Sequence, residues 1–216
     1  MQRISLTVIS RSAGLLLLVG VLLVIGGGVA WTSHIDNMVP TINYDKSCAE
    51  GSVSGGGTVC QTDNSTVSYY MTSSGSFALE SDDKQDVQQV LANQYAPTDL
   101  TVNYDSTPTY SGSGETDIIY QEGDVPGANT GRTWCNDDSL APKYICDQQY
   151  VRIEAGGAYK PGLVCHETGH AVGLVHGPDS YPAVALNHPD IGCMKKPTPV
   201  NEGLGGNQIS NINNLY

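Results

Sequence analysis

The chain is short of positive charge. It carries ten Lys and Arg against twenty-two Asp and Glu, a formal net charge of −12 over 216 residues. Residues 1–30 hold two Arg and no acid, so residues 31–216 set eight bases against twenty-two acids, a net of −14. Nucleic acid and anionic membrane surfaces both need a positive face on their partner, so this balance argues against either. Charged residues of both signs are sparse, 15% of the chain, while Gly, Ser, Thr, Asn and Tyr are abundant, as suits an exported soluble protein. No internal repeat is present, and the length is enough for one domain with its own core. EF-hand spacing is missing as well. Asn136-Asp137-Asp138 offers oxygen ligands that calcium could use, but a solvated acidic loop is the plainer reading of it.

Only one long apolar run exists, Ala13 to Trp31, preceded by Arg3 and Arg11. Gly28-Val29-Ala30 places small residues at −3 and −1 of a cleavage point, so residues 1–30 read as a secretory signal peptide cut near Ala30. About nineteen apolar residues would also serve as an uncleaved signal anchor. Either way the remainder lies outside the cytoplasm, secreted or anchored, and meets a membrane only through this segment. Residues 31–64, with Pro40 and a Gly/Ser-rich stretch at 51–57, read as an irregular extension, propeptide or stalk. Asn64-Ser65-Thr66 is a glycosylation sequon only in a host that modifies such sites.

Six cysteines in an exported chain suggest three disulfides, and six allow fifteen pairings. Local spacing favours Cys48–Cys60 and Cys135–Cys146, each closing a short Gly- or Asp-rich loop. Cys165 and Cys193 are left, next to His166 and Met194 respectively. The other use of these two thiols, as metal ligands, would close a site that three histidines already satisfy.

Order begins near Thr66. Val67–Met71, Leu100–Tyr104, Thr116–Tyr120 and Gln149–Ile153 read as strands. A further strand is expected within 125–146, around Arg132-Thr133-Trp134. Ser81-Asp82-Asp83 reads as an N-cap with acids in the first turn of a helix that ends at Pro97. A second helix is expected over about 162–173, and a closing one over 208–215, where Ile209, Ile212 and Leu215 are spaced by three.

Residues His166 to Gly177 read HETGHAVGLVHG. On a helix, His166 and His170 lie one turn apart on one face, so both imidazoles can point at one ion. Glu167 follows the first of them, placed to reach a water on that ion. Gly173 can end the helix in the left-handed conformation and let the chain turn back to bring His176 in as a third nitrogen. Three protein ligands leave zinc one open position, the mark of a catalytic site. Three of the five histidines stand in this one register, which argues against scattered surface histidines.

This HExxHxxGxxH pattern, followed by Ile191-Gly192-Cys193-Met194, resembles the metzincin zinc endopeptidases and their methionine turn. The likeness covers about residues 65–216 and is nearest to the matrixin-like branch, in short exported forms of actinobacterial type. It implies an α+β domain: a mixed, twisted β-sheet over the zinc helix, with a methionine turn and a C-terminal helix. It also implies zinc on His166, His170 and His176, Glu167 as general base, Met194 as an apolar floor, and a substrate lying along an edge strand. A Cys165–Cys193 bond would staple the zinc helix to that floor. The chain departs from the family in three places. Gly177 stands where matrixins, astacins and adamalysins carry Ser, Glu and Asp. Lys196 stands where astacins and serralysins carry a tyrosine. No thiol latency sequence is present.

The resulting expectation is a monomeric exported zinc endopeptidase acting on peptide or protein substrates. Zinc on three neutral imidazoles lowers the pKa of its water toward ~7, and Glu167 accepts the proton and passes it to the leaving amine. Two alternatives stay open: a non-catalytic secreted zinc-binding or adhesion domain of the same fold, and a zinc hydrolase of a non-peptide amide such as a cell-wall linkage. Asp179 and Asp190 are the nearest acids that could orient the histidines, though surface solvation is the plainer reading of each.

Overall fold

A computed structural model of the chain describes residues 34–112, 114–137 and 143–216. The signal peptide or anchor of residues 1–30 and the last acid of the 136–138 loop lie outside the described residues. Among the described residues no helix is long and apolar enough to cross a membrane.

Among the described residues seven strands and three α-helices follow one another: β1 Gln61–Thr62, β2 Thr66–Met71, α1 Ser81–Val90, β3 Thr101–Tyr104, β4 Ile118–Glu122, β5 Gly131–Asp137, β6 Ile145–Cys146, β7 Gln148–Ile153, α2 Pro161–Ala171 and α3 Gly206–Leu215. Five strands form one sheet in the order β3-β2-β4-β7-β5; the first four run parallel, and β5 closes the edge antiparallel to β7. The class is therefore mixed α/β on a mixed sheet, compatible with α+β. Strand β5 is the one expected around Arg132-Thr133-Trp134. β1 and β6 make a separate two-residue parallel ladder.

β4 sits two residues later than its sequence pattern suggests. Thr116 and Asp117 are taken by side-chain bonds: the Thr116 hydroxyl donates to Asp105 at 2.7 Å, and Asp117 accepts the Ser68 amide at 2.6 Å. The ladder starts once these are satisfied. α1 likewise starts one residue early. Its N-cap is Glu80 rather than Ser81, with no side-chain cap, because Lys84 N–H already bonds Glu80 O at 3.1 Å. Asp82 and Asp83 still occupy the first turn, where the helix dipole favours acids. Past Val90 the helix widens into a π-turn, Leu91–Tyr95. The turn carries Tyr95 into the core, where its hydroxyl donates to Cys165 O on α2 at 2.6 Å.

Period-2 burial on β2 and β7 puts Val67, Tyr69, Met71, Val151 and Ile153 against Val87, Val90, Leu91, Leu163 and Val164 of the helices. Residues 34–64 share this core. The compact unit runs from His34 to Tyr216, with Ile35 and Met38 in its main cluster and Val39 and Tyr44 packed on Val175. The segment lies antiparallel to residues 173–181, through bridges Met38 to Leu174 and Asp36 to Tyr181. Asn37, fully buried, donates to Val175 O at 2.9 Å and accepts from Asn211 of α3 at 2.7 Å. A buried amide satisfied in this way fixes the packing of the segment against both partners.

Three disulfides are present, Cys48–Cys60, Cys135–Cys146 and Cys165–Cys193. The first two lie side by side, with Cys60, Cys135 and Cys146 fully buried together.

Candidate metal centre

Helix α2 opens with Pro161 at its first position, where the missing N–H costs nothing. It ends in a Schellman turn: Leu174 N–H bonds Gly169 O at 2.7 Å, Gly173 N–H bonds His170 O at 3.2 Å, and Gly173 takes φ +99°. That reversal brings His176 back beside the helix, on the route expected from the sequence. The three histidine rings stand 4.7, 4.8 and 5.0 Å apart between centroids.

The tautomers follow from the outer ring nitrogens. His166 Nδ1 lies 2.7 Å from Cys193 O, and His170 Nδ1 lies 2.7 Å from Leu174 O. A carbonyl only accepts, so each Nδ1 carries the proton and each Nε2 of the neutral ring carries a lone pair. Yet His170 Nε2 is 3.2 Å and His176 Nε2 is 3.0 Å from His166 Nε2. The lone pairs of His166 and His170 face each other and do not bond one another; with His176 Nε2 they form a donor set that one cation could share. Nitrogens at 2.0–2.1 Å around a tetrahedral zinc would be roughly 3.3 Å apart, so the donor set fits such an ion. Burial holds all three imidazoles neutral: His166 is pushed down to about 3, His170 well below its usual value, and His176 down as well, chiefly by desolvation.

Backbone carbonyls, not Asp179 or Asp190, orient the first two rings. Asp190 lies instead beside His188 at 4.0 Å. The helix C-terminus and the 191–194 turn present their carbonyls where the rings need them, a role that sequence spacing does not display.

Met194 is fully buried below this helix. A Cβ added at Gly169 would stand 2.4 Å from the Met194 sulfur, so the glycine between the two helical histidines is what admits it. Cys193 joins Cys165 one residue before His166, with Cα atoms 6.0 Å apart. One turn thus supplies the buried methionine, the staple and the His166 acceptor.

Glu167 is buried, and desolvation raises its carboxyl to about 7 against the opposing pull of a Thr133 hydrogen bond and the Lys196 and Arg132 charges. Thr133 Oγ lies 2.9 Å from Oε2. A cleft of about 760 Å³ opens over the triad and Glu167, with Arg132, Lys196 and Thr198 among its lining. Lys196, at the position noted above as a departure, forms part of this wall. Thr133 and Gly169 were not singled out by sequence reasoning; their only signal is alternation with Arg132 on a strand and position inside the motif.

Among the described residues, two other groups lie close enough to share an ion: Cys48, Cys60 and Cys135, and Glu80, Asp82 and Asp83. The first is committed to disulfides. Asn136 donates to Gln148 at 3.3 Å, and Asp137 belongs to no such group. The chain matches no protein-family model and no curated protein sequence.

Proposed function

We propose that the chain is an exported zinc-dependent endopeptidase of metzincin type. The observation that carries this reading is the convergence of three Nε2 atoms, two of them lone-pair donors by virtue of their carbonyl contacts, beside a buried carboxylate in an open cleft. His166, His170 and His176 would hold the ion, and their neutrality suits it. When bound, zinc supplies Lewis acidity toward a water and a substrate carbonyl. Glu167 takes the proton of the attacking water and returns it to the leaving amine. Edge strand β5 lies along the cleft and offers backbone pairing to an extended peptide.

A purely structural zinc site has no use for a buried carboxylate at Glu167, which favours hydrolysis over a binding or adhesion role. The test is incubation of the purified exported protein with casein and a quenched peptide library, with and without a zinc chelator. Cleavage that the chelator abolishes and added zinc restores is expected. Stoichiometric zinc with no cleavage of any peptide would overturn the peptidase reading and leave the adhesion domain or the non-peptide amide hydrolase.

A further inference from the structure

Strand β5 meets α2 at Glu167. Gly131 and Thr133 are two apart on this strand and share one of its faces. The Thr133 hydroxyl lies 2.9 Å from Glu167 Oε2 and 2.8 Å from the Glu167 backbone carbonyl. The carbonyl accepts, as does Oε2 of the ionised carboxylate, so the one hydroxyl proton is shared between them as a bifurcated donor. A Cβ added at Gly131 would stand 2.6 Å from Oε1 and 2.8 Å from Cγ of the same glutamate. The strand therefore leaves a slot for the carboxylate at one residue and ties it at the next residue on that face.

We infer that Thr133 is the positioning residue of Glu167: it fixes the side-chain rotamer through Oε2 and leaves Oε1 as the oxygen that accepts and returns a proton, while Gly131 supplies the slot. This rests on the proposal that Glu167 is the general base. Thr133 also anchors the helix itself, through the backbone carbonyl of Glu167, so one hydroxyl couples the edge strand to the base. A serine keeps the donor; a valine keeps the shape and loses it.

The experiment compares Thr133→Val and Thr133→Ser in the zinc-loaded protein, by steady-state kinetics on a cleaved peptide, metal content, and the crystal structure of each variant. For Thr133→Val, kcat should fall about 10- to 100-fold, the scale of a small misplacement of a reacting group. KM and zinc stoichiometry should stay as in the wild type, and the Glu167 carboxylate should leave its single rotamer. Thr133→Ser should restore both rate and rotamer. A Thr133→Val protein with wild-type kcat, or with Glu167 unmoved, overturns the inference, as does a serine variant no better than the valine. If the wild type cleaves no peptide, the peptidase reading fails first, and the Glu167 rotamers in the two variants decide the positioning role alone.

Discussion

Gly169 stands between the two helical histidines with the Met194 sulfur where its Cβ would be. Gly177, the residue after His176, is confined in a similar way: a Cβ there would stand 2.5 Å from Ala185 O and 2.7 Å from Val184 O. This chain closes residues 184–185 over that position, so the side chains found there in metzincin families would not fit. Both glycines are therefore set by close approach. Overpacking of this kind costs about 1–3 kcal/mol. Gly169→Ala should lower the melting temperature by several degrees and weaken zinc binding, because the displaced methionine pushes on both ligand turns. Calorimetry and zinc titration check this; an alanine variant with unchanged Tm and zinc affinity would show that the contact is slack.

At the scale of elements, the site is a helix held by three neighbours: the π-turn through Tyr95, the edge strand through Thr133, and the 191–194 turn through the Cys165–Cys193 bond. That bond spans 28 residues in sequence. A loop of that size corresponds to about 3–4 kcal/mol of unfolded-chain entropy. The double variant Cys165→Ser/Cys193→Ser should lose stability on that scale and bind zinc more weakly, since Cys193 O orients His166. Urea melts with and without zinc would measure both, and a double variant as stable as the wild type contradicts the staple. The helix, its closing glycine and the Cys48–Cys60 and Cys135–Cys146 pairs were legible in the sequence because each is a short-range pattern, whereas Cys165 and Cys193, 28 residues apart, were only the two left over. The π-turn, the carbonyl acceptors and the Thr133 contact were not, because they depend on which elements meet in space. The start of β4 shifted because Thr116 and Asp117 are tied by their side chains to Asp105 and Ser68, contacts that sequence alternation does not display.

The molecule as a whole is acidic, and some of its acids are buried. Asp83 is raised to about 6 by desolvation and then by the Glu122 charge beside it; Asp117 is raised to about 6 by desolvation despite its bonds to Ser68. A carboxyl with a folded pKa above its unfolded 3.8 binds its proton more tightly when folded. Its contribution to stability is complete below about pH 4 and is lost as pH rises through about 6. Asp83→Asn should therefore match the wild type in Tm at pH 4 and exceed it by a few degrees at pH 7; a gap that does not grow with pH would contradict the raised Asp83 carboxyl. Residues 34–64 belong to the same packed unit, through Asn37, Ile35 and Met38. Glu167, the three histidines and the cleft over them thus rest on one core. The most direct test of the account is Glu167→Ala, assayed for zinc by mass spectrometry and for turnover on a cleaved peptide. Zinc should stay at one ion per chain while kcat falls by roughly 10²- to 10⁴-fold, the range of a lost general base; wild-type proteolysis in that variant would contradict the account.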